Sequence, residues 1–267
     1  MKTNLVEFKN QNDDVLRGIE VTSGNLGNRE GVIFLGGFER KTSTEPQFKR
    51  MADLLIAMDV PSFRFDYTGL GLSDGAFRSV TNSRMVSDLL AATEVFKSRN
   101  RLNSLSFVVH SNSACVLVSS SLAILASRIV FLAPAFDQIN LSKFWFTQKR
   151  MSKIDSNIKI TWLNYNKYFS NTEFRRFVIQ DSKMTKQNYL DSAYHLYNTE
   201  VDYTSIAETF SQKSMVVIGS EDRVTPRESL HYNCSKLLIV DQGDHYLARP
   251  DMLDQWLKKA INFLKLV

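Results

Sequence analysis

Cysteine is scarce in this sequence, where only Cys115 and Cys234 occur among 267 residues. A disulfide framework needs more cysteines at regular spacings, and a thiolate metal site needs close pairs, so both are excluded. The first residues are charged and lack the apolar core of a signal peptide, and we therefore expect no secretion signal. On this basis we predict a cytoplasmic protein.

Charged residues are absent from the long stretch 102–127, which makes it a candidate for a membrane span. The same stretch contains eight serines, His110 and two asparagines. A lipid-facing helix tolerates such residues poorly. We therefore expect no membrane span here, and we predict a buried strand followed by a buried helix.

Acidic residues are few in the segment 143–186, which contains ten basic and three acidic residues, an excess of +7 against +5 for the whole chain. A solvated basic face is one interpretation of this excess. The alternative is a surface that steers an acidic partner, such as an acyl carrier protein, toward the molecule. Because no nucleic-acid-binding motif accompanies these residues, we predict no nucleic-acid partner.

Short apolar runs alternate with longer amphipathic stretches along most of the chain. The pattern predicts eight strands at 5–9, 16–21, 32–35, 62–65, 105–109, 129–132, 215–218 and 236–240. It predicts five helices at 45–58, 82–97, 112–126, 226–234 and 252–264. The first two strands are placed to form a hairpin, and strands then alternate with helices. We predict an α/β fold, with a mostly parallel eight-stranded sheet covered by helices on both faces.

The alternation stops between residues 137 and 209, in an interval that is rich in aromatic residues. We interpret 137–209 as a lid inserted over the carboxyl ends of the strands, so that 1–136 and 210–267 form the core. The alternative is an ordinary helical crossover whose aromatic residues belong to the core. If the interval is a lid, its aromatic side chains line an apolar pocket, and we predict that Trp145, Phe146 and Trp162 bind substrate.

The candidate nucleophile follows the fifth predicted strand, where residues 107–114 read Phe-Val-Val-His-Ser-Asn-Ser-Ala. A serine on a sharp turn between an apolar strand and a helix is typical of a nucleophile elbow, which favours small residues two positions to either side. Ser111 fits the strand end best, although Val109 occupies a position where glycine is usual. Ser113 is a competing nucleophile. The simplest alternative is that Ser111 only caps the following helix.

A serine nucleophile needs a neighbouring general base. His245 lies in a short loop after the last predicted strand, at the sheet edge where open α/β folds bind ligands. The remaining histidines are less suitable, because one neighbours Ser111 and is expected to point away from it, one lies near the lid, and one lies on a predicted helix. These three are His110, His195 and His231.

The base in turn needs an acid that holds one tautomer. Asp222 lies just past the strand predicted at 215–218, with Glu221 as the alternative. Asp244 is adjacent to His245 in the chain and is sterically unsuited. Serine, aspartate and histidine, each after a separate strand and in this order, are typical of one class of serine hydrolase.

Two backbone N–H groups are expected to form an oxyanion hole. One belongs to Asn112, which follows the candidate nucleophile. The other is predicted at Phe38, since Gly36 and Gly37 allow the chain to approach closely after the third predicted strand. The alternative is a simple glycine-rich turn.

Taken together, these motifs resemble the α/β-hydrolase superfamily over nearly the whole chain. The matching segments are 36–38, 62–75, 109–113, 222–226 and 243–245. Gly37-Phe38, with the Glu-Pro-Gln-Phe at 45–48, resembles small feruloyl esterases, in which a histidine usually stands at the position of Gly36. The Ser-x-Ser-Ala elbow resembles the acyl-carrier-protein thioesterases of bacterial luminescence.

The resemblance implies hydrolysis of a carboxylic ester through a Ser-His-Asp triad and an acyl-enzyme, with Ser111, His245 and Asp222 as the triad. It implies no metal and no organic cofactor. One alternative is a thioesterase or acyltransferase acting on acyl-carrier-protein or coenzyme A thioesters. Another is a non-catalytic binding protein on a hydrolase scaffold, which Val109 in the elbow motivates.

Overall fold

The protein is described by a computed structural model that covers residues 1–24, 30–181, 190 and 192–264. Within these residues eight strands form one sheet in the order β1-β2-β4-β3-β5-β6-β7-β8. The strands are β1 Lys2–Lys9, β2 Val15–Thr22, β3 Glu30–Leu35, β4 Ser62–Phe65, β5 Ser104–His110, β6 Ile129–Leu132, β7 Ser214–Gly219 and β8 Lys236–Val240. Strand β2 pairs antiparallel with β1 and β4, and the other pairs are parallel. The predicted hairpin and mostly parallel sheet are confirmed.

Nine α-helices lie in the described part of the chain. They are α1 Pro46–Ile56, α2 Asn82–Asn100, α3 Ser113–Val118, α4 Leu122–Leu125, α5 Gln138–Ile154, α6 Asn171–Asp181, α7 Ser192–Asn198, α8 Tyr203–Glu208 and α9 Pro250–Leu264. Side chains of α1 and α9 form one hydrophobic core with one face of the sheet. Side chains of α2, α3 and α8 form the other core with the opposite face. The expectation of helices on both faces is therefore confirmed.

Strand β5 shows why the central strands are apolar without alternation. Phe107 and Val109 enter the core beneath α2 and α3, whereas Val108 enters the core beneath α1 and α9. All three side chains are buried, because successive residues of a strand point to opposite faces and both faces are covered. Val109, at the position where an elbow glycine is usual, is therefore a core residue of the sheet.

Two predicted helices differ in the structure. The helix predicted at 112–126 is divided into α3 and α4, because Ser119 and Ser120 turn their hydroxyls onto the carbonyls of Cys115 and Leu117, at 2.8 and 2.7 Å. Such bonds compete with the helical ladder. The helix predicted at 226–234 is wrong, since only a short 3₁₀ turn forms at Arg227–Ser229. The segment lacks an apolar face with helical spacing.

The loop after β4 is organised by Asp66, a fully buried carboxylate. Its oxygens accept hydrogen bonds from the backbone N–H and the hydroxyl of Ser43, at 2.9 and 2.6 Å, and from the backbone N–H of Leu72, at 2.9 Å. Gly71 has a φ of +53°, and a Cβ there would lie 2.1 Å from Asp66 Oδ2. Glycine is thus required at this turn, which fixes the segment that follows β3 against the sheet.

The interval between β6 and β7 contains helices α5 to α8. Its interpretation as an inserted lid stays a prediction. Among the described residues, no helix combines the length and the apolar character that crossing a membrane requires. The charge-free stretch 102–127 folds as β5, α3 and α4, a buried strand followed by short helices.

Candidate active site

Ser111 occupies a strained turn between β5 and α3. Its φ is +54°, a left-handed conformation that residues other than glycine rarely adopt. The turn is held because the Ser111 N–H donates to the carbonyl of Leu132 at 2.9 Å, and the Ser111 carbonyl accepts from the N–H of Ala135 at 3.3 Å. The fold therefore forces the sharp strand-to-helix turn that lifts a serine hydroxyl above the sheet edge.

The carboxyl ends of three strands bring Ser111, His245 and Asp222 together. Nε2 of His245 lies 3.1 Å from the Ser111 hydroxyl oxygen, and Nδ1 of His245 lies 2.9 Å from Oδ2 of Asp222. All three residues are buried. Both distances are within hydrogen-bond reach, so this arrangement can pass a proton from the serine to the imidazole while the carboxylate holds the imidazole in place.

The carboxylate of Asp222 is enclosed by donors from its own loop. Oδ1 accepts the backbone N–H groups of Val224 and Thr225, each at 2.8 Å, and Oδ2 accepts the Thr225 hydroxyl at 2.7 Å. Burial raises the pKa of this carboxyl, but the hydrogen bond and charge of His245 and the Thr225 bonds outweigh burial, and the pKa is lowered overall. Asp222 is thus held as an anion. The Asp-x-x-Thr spacing is the sequence signal that was available for Thr225.

His110 was expected to point away from the nucleophile, and the structure gives it a definite place beside the base. Its Nε2–H donates to the backbone carbonyl of His245 at 2.8 Å, and the two imidazole rings lie 4.7 Å apart. Burial, and then the charge of His245, lower the pKa of His110 to about 3. His110 is therefore a neutral buried donor that holds the loop of His245, a contact that the sequence pattern did not predict.

The loop after β3 lies against the elbow. A Cβ at Gly37 would come within 2.8 Å of Nδ1 of His110 and 3.1 Å of Cβ of Ser111, so only glycine allows this close approach. The Ser113 hydroxyl donates to the carbonyl of Gly36. Ser113, considered above as a competing nucleophile, is fully buried and engaged with this loop.

Tyr194 of α7 contacts the side chains of both residues predicted to donate to the oxyanion, Phe38 and Asn112. The Tyr194 ring stacks on the Phe38 ring with centroids 5.0 Å apart. Tyr194 also forms a side-chain hydrogen bond with Asn112, and burial raises its pKa well above the ordinary value. One residue between β6 and β7 therefore contacts both segments that are expected to form the oxyanion hole.

The three predicted substrate-binding residues have different surroundings. Trp145 donates its indole N–H to the carbonyl of Val224 at 2.6 Å, in the loop of the candidate acid. Phe146 packs with the rings of three other phenylalanines of the same interval, and Trp162 packs on Phe144 and Tyr165. Their role in substrate binding stays a prediction.

Three of the basic residues of 143–186 make contacts within the protein. Lys143 is buried and donates to Asn171 at 2.9 Å. Arg150 lies over the Phe177 ring, and Arg175 pairs with Glu200. Two further basic residues of the segment, Lys183 and Lys186, lie outside the described residues. An acidic carrier protein as a partner stays a prediction.

A sequence family described as serine aminopeptidase, S33 (Hydrolase_4), matches residues 29–237. The chain belongs to this family. It is therefore an α/β hydrolase, and the match includes the loops of Ser111 and Asp222. No curated protein matches the sequence. Across the described residues of this hydrolase, no cluster of three or more His, Cys, Asp or Glu side chains is placed to hold a metal ion.

Solved structures share the fold of this hydrolase over nearly its full length. Est1E from Butyrivibrio proteoclasticus with ferulic acid bound is 17% identical, with 97% of this chain and 96% of that chain covered and a TM-score of 0.70. The Pyrococcus furiosus esterase Pf2001 is 15% identical, with 99% and 90% covered and a TM-score of 0.67. Mouse alpha/beta hydrolase domain-containing protein 10 is 12% identical, with 98% of both chains covered and a TM-score of 0.65.

Proposed function

We propose that this α/β hydrolase cleaves carboxylic esters through an acyl-enzyme, with Ser111 as nucleophile, His245 as general base and Asp222 as the orienting acid. The observation that carries the proposal is the continuous hydrogen-bonded chain from the strained serine to the buried carboxylate. A serine that only capped a helix would need neither the left-handed turn nor a histidine within 3.1 Å of its hydroxyl.

In the proposed reaction, Nε2 of His245 takes the proton of the Ser111 hydroxyl as its oxygen attacks the ester carbonyl. The tetrahedral intermediate collapses when the imidazolium returns that proton to the departing alcohol, which leaves Ser111 acylated. Water then attacks the acyl-enzyme with His245 again as base, and the carboxylic acid is released. Asp222 stays ionised and stabilises the imidazolium in both steps.

The backbone N–H groups of Phe38 and Asn112 are proposed to stabilise the oxyanion. Neither N–H has an acceptor among the described residues. The close approach of Gly37 to Ser111 brings the loop of Phe38 next to the elbow. Two free donors beside a candidate nucleophile are what a developing oxyanion requires, and removal of one such donor costs about 10²–10³ in kcat in other serine hydrolases.

The substrate class is proposed to be an ester with an apolar or aryl acyl group. The aromatic side chains between β6 and β7 support this class, with Phe146 and Trp162 as proposed contacts. Est1E was solved with ferulic acid bound, so hydroxycinnamate esters belong in the substrate panel. The basic surface residues of the same interval motivate the inclusion of thioesters, and cleavage of thioesters alone would replace the ester proposal.

The test is turnover of p-nitrophenyl and hydroxycinnamate esters of graded size by the wild-type protein and by Ser111→Ala. We expect loss of activity by about 10³-fold or more in the variant. Ser152→Ala is the matched control, because Ser152 is an exposed serine of α5 whose hydroxyl donates to Lys149.

Labelling with a fluorophosphonate, followed by mapping of the modified peptide, identifies the nucleophile without a known substrate. We expect the label on Ser111. A label on Ser113 would contradict the assignment, and failure of the folded wild-type protein to react would favour a non-catalytic binding protein.

A further inference from the structure

The candidate acid Asp222 depends on one peptide group, the one that joins Val224 to Thr225. The N–H of this group donates to Asp222 Oδ1 at 2.8 Å. The carbonyl of the same group belongs to Val224, and it accepts the indole N–H of Trp145 at 2.6 Å. Because a peptide group is planar, the two bonds act on opposite ends of one rigid unit.

Trp145 therefore sets the orientation of the donor that Asp222 receives. A hydrogen bond at the carbonyl also polarises the peptide and strengthens the bond that its N–H makes. The hydrogen bonds continue from Asp222 to the serine. Oδ2 of Asp222 lies 2.9 Å from Nδ1 of His245, and Nε2 of His245 lies 3.1 Å from the hydroxyl of Ser111.

Helix α5, which carries Trp145, is itself anchored to the elbow. Near its start, Gln138 donates to the carbonyl of Ala135 at 2.6 Å, and the N–H of Ala135 donates to the carbonyl of Ser111 at 3.3 Å. Trp145 follows Gln138 by two helical turns, roughly 10 Å along the axis. One helix is thus linked through Ala135 to the candidate nucleophile at its start, and it contacts the loop of the candidate acid further along.

We propose that Trp145 is a positioning residue for Asp222, and that α5 therefore helps to align Asp222 with His245. The inference rests on the proposed function, because it concerns the same Ser111, His245 and Asp222. It assigns Trp145 a different role from the substrate contact expected from the sequence.

The decisive variant replaces Trp145 with β-(3-benzothienyl)alanine, which keeps the shape of the indole and lacks the N–H. Trp145→Phe is the genetically simple companion. Tyr165→Phe is the matched control, since it removes a hydrogen bond to another residue of α5, from the Tyr165 hydroxyl to Asn140 Oδ1 at 3.0 Å, and keeps the ring. We expect kcat to fall about three- to tenfold in both Trp145 variants, the effect of one lost hydrogen bond. KM and the Tm of the benzothienyl variant are expected to remain close to wild type.

A second readout does not need turnover. The proton NMR resonance of the His245 Nδ1–H reports the hydrogen bond to Asp222 directly, and we expect it to shift or broaden in the Trp145 variants but not in Tyr165→Phe. An unchanged resonance together with wild-type kcat in the benzothienyl variant would overturn the inference. A raised KM with unchanged kcat would overturn it in favour of substrate binding by Trp145.

The two proposals fail in different ways. If wild-type protein is neither labelled by a fluorophosphonate nor active on esters, the proposed function fails, and the NMR resonance still decides whether Trp145 positions Asp222. If wild-type protein is labelled at Ser111 and the benzothienyl variant reacts at the same rate with an unchanged resonance, the positioning inference fails alone.

Discussion

Replacing His110 with leucine removes both a buried hydrogen-bond donor and a buried titratable group. At pH 8 the carbonyl of His245 loses its donor at 2.8 Å, which costs about 1–3 kcal/mol. For a chain of 267 residues, each kcal/mol corresponds to roughly 2 °C in Tm. We therefore expect His110→Leu to lower Tm by about 2–6 °C at pH 8.

The same replacement has a different effect in acid. The pKa of His110 is about 3 in the folded protein, against an ordinary value of 6.5. Between these values the unfolded chain binds a proton that the folded protein does not, so wild-type stability falls as the pH drops below 6.5. At pH 5 this cost is about 2 kcal/mol. The leucine variant lacks this titrating group. Its loss of unfolding free energy relative to wild type should therefore be smaller at pH 5 than at pH 8 by that amount.

Urea unfolding followed by tryptophan fluorescence at pH 8 and pH 5 measures both effects as differences in the free energy of unfolding, and a thermal melt at pH 8 measures the change in Tm. The charged or titratable groups that act on His110 are His245, Asp222 and Arg40, and all three remain in the variant. His231→Leu, which removes an exposed histidine, is the control. If His110→Leu lowers the free energy of unfolding by the same amount at both pH values, or by more at pH 5, the argument that His110 is a neutral buried donor is refuted.

Three further substitutions test the site and the elbow. Asp222→Asn should lower kcat by about 10³–10⁴-fold in the ester assay with the fold retained by circular dichroism, and a loss below about tenfold would contradict its role. Gly37→Ala places a Cβ 2.8 Å from His110 Nδ1 and 3.1 Å from Ser111 Cβ. It should lower kcat about 10- to 100-fold with little change in KM, and unchanged kcat would show that the loop can move. Val109→Gly leaves a cavity under the elbow and should cost about 2–3 kcal/mol, measured by urea unfolding. A rise in kcat there would mean that Val109 obstructs the serine.

The strands were predictable because their residue types reflect how deeply they are buried. Each central strand is a short run of Val, Ile, Leu and Phe bounded by turn residues, and burial on both faces requires such a run. The helices were predicted less accurately. Ser119 and Ser120 divide one predicted helix because their hydroxyls bond carbonyls of the preceding turn. The predicted helix at 226–234 fails because its apolar residues alternate, and Tyr232 turns inward to pack on Phe131 and Phe136.

The candidate site followed from the same pattern. Ser111, Asp222 and His245 each come after a strand of a parallel region, and the carboxyl ends of parallel strands meet at one edge of the sheet. Their proximity could be inferred without knowing any side-chain position. Valine at position 109, where glycine is usual, is also explained. The strained backbone is at Ser111, with φ of +54°, whereas Val109 is an ordinary strand residue.

By itself, the sequence determined the order of strands and helices, the sheet edge at which the candidate site lies, and the order of the candidate serine, acid and base, because these depend on local patterns of burial and turns. Only the tertiary structure decided which groups support them. His110 bonds the backbone carbonyl of His245, and Trp145 bonds the carbonyl of the peptide whose N–H binds Asp222. These contacts join residues 135 and 79 positions apart. Their geometry depends on how helices and loops pack, which no local pattern in the sequence encodes.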